Sequence, residues 1–167
     1  LAYARLPAEV RASHVRPETW GQRGWAEGER AVATNGALDN KGWLFANPVP
    51  FSSPEAEARQ RRRWPIQHPP NYWPTAFPDG LRQAYLAYGS ALHEANIRCQ
   101  CAEALALGLP ERTFASRLTD GPHNTRALIY WPLTEEMLGQ AAWGGEHVDF
   151  NDETVLGGGI WVTPDGE

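Results

Sequence analysis

The sequence predicts an α+β fold, with a helical region first and strands after it. Three observations carry that expectation. Apolar residues recur at helical spacing from about Asp79 to Leu107. The pattern changes after Gly121-Pro122, where Ala127-Leu128-Ile129-Tyr130-Trp131 forms a compact apolar run closed by Pro132. Beyond it, His147 and Asp149 stand two apart in a segment of strand-like composition. Strand side chains alternate between faces, so this pair projects from one face and Val148 from the other.

The first part, residues 1 to about 75, is rich in Pro, Gly and Trp and has little sustained periodicity. A short helix is expected near Pro7-Ala8-Glu9-Val10-Arg11. A second opens at Pro54, with Glu55 and Glu57 at its start and Arg59, Arg61, Arg62 and Arg63 at its end, the charge order that a helix dipole favours. The basic run could touch phosphates, but a solvated helix end accounts for it more simply. Five of the eight tryptophans lie in this part: Trp20, Trp25, Trp43, Trp64 and Trp73. Packing of a loop-rich segment onto the body of the domain is the preferred reading over an aromatic binding groove.

The long helix comes next. Leu81, Tyr85, Tyr88, Leu92, Ala95, Cys99, Ala102 and Ala106 recur at alternating steps of four and three. The small residues late in that stripe imply close approach to something bulky, such as a sheet. His93, Glu94, Arg98 and Glu103 fall off it and are read as a solvated face. Gly108 supplies the left-handed position that ends a helix, and Pro110 can open the next at Glu111-Arg112-Thr113-Phe114. After the apolar strand, residues 133–143 read as a loop. Strand candidates follow at 145–150, 153–156 and Ile160-Trp161-Val162, the last running into the turn signal Pro164-Asp165-Gly166. The triplet Gly157-Gly158-Gly159 lacks the lysine and strand-to-helix context of a phosphate loop.

Composition sets the bounds. A chain of 167 residues can bury about 70% of its unfolded surface in one domain. Hydrophobic residues at 42% and charged residues at 21% are ordinary, and a net charge of −5 speaks against nucleic acid as a partner. No apolar run approaches the roughly 18 residues of a membrane span, and no signal peptide is recognisable, so no membrane partner is expected. Cys99 and Cys101 lie two apart in the long helix, about 200° around its axis, where they neither share an ion nor close a comfortable disulfide. Free thiols suit a reducing compartment, with the cytoplasm as the default. The chain begins at Leu1 and closes on a strand-like run into a turn, and is read as incomplete at both ends.

The chemistry rests on His147 and Asp149. Their Cα atoms would stand about 6.5 Å apart on one strand face, close enough for imidazole and carboxylate to meet on one ion at about 2 Å each. One carboxylate with two imidazoles is the facial triad of non-haem iron(II) oxygenases. Alone, a His-x-Asp is short enough to arise by chance on an exposed strand or turn.

The flanking motifs add to it. Leu38-Asp39-Asn40-Lys41-Gly42-Trp43, Trp73-Pro74 leading to Phe77-Pro78-Asp79-Gly80-Leu81-Arg82, Leu107-Gly108-Leu109-Pro110 with Phe114, Asn124-Thr125-Arg126 through Tyr130-Trp131-Pro132, and Gly145-Glu146-His147-Val148-Asp149-Phe150 follow in order. With these segments the chain resembles the isopenicillin N synthase-like family of iron(II)- and 2-oxoglutarate-dependent dioxygenases. The resemblance implies a double-stranded β-helix, or jelly roll, preceded by an α-helical region. It places the helix-rich part at residues 1–120 and the first strands of the oxygenase core at 121–167. It implies Fe(II) as cofactor and 2-oxoglutarate as co-substrate, with dioxygen and a small organic molecule as the reactants. It assigns His147 and Asp149 as metal ligands, and Tyr130 beside the co-substrate; for Tyr130, core packing is an equal alternative. Arg126 could serve co-substrate or substrate binding, or structure.

Departures from the family pattern are plain. Gly42 stands where an acid is usual, and Val148 where threonine is usual. No histidine follows Asp149, and the Arg-x-Ser pair that would hold the distal carboxylate is absent; His14, His68, His93 and His123 all precede the motif. His123, beside the apolar strand, is the one weighed as a substitute ligand. Two functional classes therefore stand: part of a working oxygenase, or a catalytically inactive binding or scaffold module of the same fold. An oxygenase that omits 2-oxoglutarate is a smaller third.

Overall fold

A computed structural model describes residues 2–28, 38–75, 77, 80–138, 141–143, 148–149 and 151–163. Within them run α1 (Ala8–Ala12), β1 (Gly24–Glu27), β2 (Leu38–Asp39), β3 (Lys41–Ala46), α2 (Pro54–Arg63), α3 (Leu81–Ala106), β4 (Thr125–Tyr130) and β5 (Ala141–Ala142). The organising layer is an antiparallel sheet in the order β1-β3-β4. A two-residue parallel bridge joins β2 to β5.

The centre of the sheet is β3, and its sequence explains why. Trp43, Leu44 and Phe45 favour a pleated, packed surface, and neighbours on both sides satisfy the backbone hydrogen bonds. One face presents Gly42, Leu44 and Ala46. Against it lies the core of Tyr3, Trp25, Leu44, Ala46 and Tyr85, with Trp73, Phe77, Ile129 and Trp131 packed around it. The Tyr85 hydroxyl reaches the carbonyls of Leu44 (2.9 Å) and Thr125 (2.6 Å), tying α3 to both β3 and β4. The sequence pattern of the first 75 residues predicts helices alone, so these strands are an addition to it.

Both expected helices of that part form. In α2 the side chain of Ser53 accepts from the Ala56 N–H, Pro54 occupies the first turn, and Arg61, Arg62 and Arg63 close the last. The long helix is α3, and Gly108 follows it at φ +70°. Its buried row differs from expectation. Tyr85, Gly89, Gln100 and Ala104 are buried, whereas Tyr88, Cys99, Ala102 and Ala106 face solvent. Pro48 approaches Gly89 so closely that a Cβ there would lie 2.5 Å from its ring. A contact made by a residue without a side chain leaves no apolar signal, so the apolar spacing misses the buried row at Tyr88 and again from Cys99 onward, while Leu92 and Ala95 are half-buried. Glu94, Arg98 and Glu103 are exposed as expected, while His93 is half-buried.

Three further expectations change. Residues 111–114 form a turn and Ala115–Leu118 a 3-10 helix, in place of an α-helix. The 133–143 loop includes a 3-10 turn at Glu135–Met137 as well as β5. Residues 153–156 and 160–163 are not strands: among the described residues no strand pairs with them, and Leu156, Ile160 and Trp161 are largely exposed. Strand residues need a ladder partner, and apolar composition does not supply one. The candidate at 145–150 lies mostly outside the described residues. Among the described residues the strands form an open three-stranded sheet and a short bridge, not a closed double sheet. No described helix is long and apolar enough to cross a membrane.

Candidate metal and co-substrate face

The register assigns the candidate residues of β4 to one side of the sheet. Lys41, Trp43 and Phe45 alternate onto the face opposite Leu44 and Ala46, and pair with Tyr130, Leu128 and Arg126. Arg126 and Tyr130 therefore share a face, about 13 Å apart along the strand at Cα. The Arg126 guanidinium sits 4.7 Å from the Phe45 ring centroid and 5.4 Å from that of Trp43, a cation–π platform that restrains the side chain. Tyr130 is 52% exposed and is not a core aromatic.

Beside Tyr130 lies an ion pair that residue types and spacing alone do not reveal. Lys41 Nζ meets Asp39 Oδ2 at 2.5 Å, with both side chains buried. The other oxygen, Asp39 Oδ1, is buried without a hydrogen-bond partner among the described residues. A buried carboxylate oxygen left unpaired is costly, and it marks a place where a donor or cation would be stabilised. The alternation Lys41-x-Trp43-x-Phe45, read as a strand, is the signal in the sequence that leads to this edge.

The chain then approaches the motif along this same edge. The bridge sets Ala142 beside Asp39. Asn40 donates to the carbonyls of Trp131 (3.1 Å) and Pro132 (2.9 Å), and Trp143 Nε1 donates to Trp131 O at 2.8 Å. His147, five residues beyond Ala142, lies outside the described residues. Asp149 is exposed and accepts a hydrogen bond from the Thr154 hydroxyl at 2.5 Å. Asn151 donates to Thr154 Oγ1 and Glu153 O, which ties residues 151–154 together locally.

The remaining histidines have other occupations. His123 Nε2 lies 2.6 Å from Leu118 O, and its ring packs 4.3 Å from that of His93. Burial lowers the pKa of both rings, and each is further from protonation than an exposed histidine; the His123 charge also acts on His93. His14 shares a 2.8 Å hydrogen bond with the Tyr3 hydroxyl. Among the described residues no three His, Cys, Asp or Glu side chains converge as a metal cage.

No family model and no curated protein matches the chain. Among solved structures it is similar to a full-length Neurospora crassa protein in complex with alpha-KG, with a TM-score of 0.52 at 18% identity. The likeness is one of fold. It covers 75% of this chain and 37% of the Neurospora protein, so the chain spans little more than a third of that protein's length. The Neurospora structure holds alpha-KG, the compound that the motif resemblance implies as co-substrate.

Proposed function

We propose that the chain forms the first part of an iron(II)- and 2-oxoglutarate-dependent oxygenase acting on a small organic molecule. The observation that supports it most is the fold likeness to the Neurospora protein bound to alpha-KG, reached independently of the ordered motifs that end in His147 and Asp149. In this reading the helical part precedes a jelly roll, β4 is one of its first strands, and the protein is cytoplasmic.

The residues present fit part of the group. His147 and Asp149 would supply one imidazole and one carboxylate, a donor set suited to Fe(II). The metal, when bound, supplies oxygen activation coupled to decarboxylation of 2-oxoglutarate. The chain's own residues do the rest. Arg126, fixed on Trp43 and Phe45, offers a cation to a carboxylate. Tyr130, half exposed on the same face, offers a hydroxyl donor. The Asp39–Lys41 pair sets the charge at the adjoining edge.

Calorimetric titration of 2-oxoglutarate into the chain with Fe(II) under argon tests this. Weak saturable binding is expected, reduced about tenfold in Arg126→Gln and less in Tyr130→Phe, as loss of a charge-assisted and of a neutral hydrogen bond requires. Absence of binding, or binding indifferent to both changes, supports the inactive module instead.

A further inference from the structure

A cleft of about 440 Å³ opens between the turn after α1 and the chain that follows α2. Arg16, Thr19, Arg61, His68, Asn71 and Tyr72 line it. We propose that this cleft binds the oxyanion, carboxylate or phosphate, of a small molecule, at a site separate from the candidate metal face. The inference stands independently of the oxygenase reading.

The argument starts from His68. It is 3% exposed, packs its ring 5.6 Å from that of Phe51, and its Nδ1 is buried without a hydrogen-bond partner among the described residues. A buried imidazole nitrogen left unpaired costs stability, and an arriving ligand oxygen would remove that cost. The surroundings of His68 are mainly cationic. Burial lowers its pKa, and the charges of Arg23, Arg61 and His123 lower it further against one acid, Asp120. Asp120 is already committed, accepting from the Ser52 N–H at 2.7 Å and the Ser52 hydroxyl at 2.8 Å. Arg23, 2% exposed, has no carboxylate partner among the described residues; it donates to Gln22 O and to Asn124 Oδ1.

The donors left over define the ligand. Asn71 exchanges two hydrogen bonds with the Asn47 backbone, and the Thr19 hydroxyl is engaged with the carbonyls of Arg16 and Arg23. Arg16 uses Nη1 on the Ser13 and Val15 carbonyls and stacks 3.6 Å from the Tyr72 ring centroid, leaving its other N–H groups. Arg61 binds Glu57 through Nε and Nη2, while its Nη1 makes only a long 3.4 Å contact with His68 O. Two guanidinium edges and one imidazole nitrogen suit an anion with two or three oxygens, with Tyr72 as a flat wall for whatever the anion is attached to. Glu18 also lines the cleft and selects against a ligand with a second negative charge near it.

The test follows the His68 ring by nitrogen-detected NMR while inorganic phosphate, and separately succinate, is titrated into the chain without Fe(II). A saturable shift is expected with at least one of them, together with a rise in the His68 pKa. Affinity should fall about tenfold in Arg16→Gln and in Arg61→Gln, and stay unchanged in Arg98→Gln on the exposed face of α3. A response to phosphate alone assigns a phosphate ligand, and a response to succinate alone a carboxylate. Should Arg61→Gln unfold through loss of the Glu57 pair, Arg16→Gln decides. No saturable shift with either anion, or a shift undiminished in a folded Arg16→Gln, overturns the proposal and leaves Fe(II) and 2-oxoglutarate binding untouched.

Discussion

Gly42 shows how tightly single residues are held in the central sheet. A Cβ at this position would lie 2.3 Å and 2.4 Å from ring atoms of Trp25, itself 2% exposed. Gly42→Ala should therefore destabilise the fold by about 1–3 kcal/mol, as overpacking does, and urea unfolding followed by tryptophan fluorescence measures it. The same contact explains what residue-level reading can and cannot see. Packing of tryptophans is expected and holds for Trp25 and Trp43, yet Trp20 is 73% exposed and Trp64 48%. A tryptophan's neighbours across the sheet are not written beside it in the chain. Trp25 is buried because Gly42, seventeen positions on, makes room for its ring. Tyr130 follows the same logic: its strand is legible, but its pairing with Lys41 and its half-exposed setting are not.

Elements with local signals are the legible ones. For α2, the proline at its first position and the acid-to-base order stand in the sequence, and the structure adds the Ser53 cap on Ala56. Ser53→Ala should cost about 1 kcal/mol, read as a lower urea midpoint at unchanged slope. Ordering by distant partners is not legible, which is why β1 and β3 go unpredicted and residues 153–156 are over-read. It is also why the seam between α3 and the chain before β4 has no sequence signature. There the rings of His93 and His123 pack at 4.3 Å, tilted by 57°, and burial lowers both pKa values. Groups whose folded pKa lies below the unfolded value near 6.5 bind more protons when unfolded, so stability rises with pH through that window. The fold should lose stability as pH falls from about 7 to 5, and His93→Gln should flatten that dependence in thermal unfolding followed by circular dichroism. An unchanged slope in the variant contradicts the burial argument.

At the scale of the whole molecule, the mixed helix-and-sheet class and the long helix before β4 are legible, whereas the strands β1 to β3 that precede α2 and α3 are not. The candidate site is legible as a set of residues but not as a surface. Arg126 and Tyr130 follow from β4 alone, whereas the platform of Trp43 and Phe45 and the Asp39–Lys41 pair come from β3 and β2. That face is formed by pairing residues more than eighty positions apart, which no local pattern encodes.

The proposed function has His147 and Asp149 hold ferrous ion together with 2-oxoglutarate. Anaerobic addition of Fe(II) to the chain in the presence of 2-oxoglutarate, followed by visible absorption, addresses it most directly. A metal-to-ligand charge-transfer band that is lost in both His147→Ala and Asp149→Ala is expected. A spectrum without such a band, or a band that survives both substitutions, contradicts it.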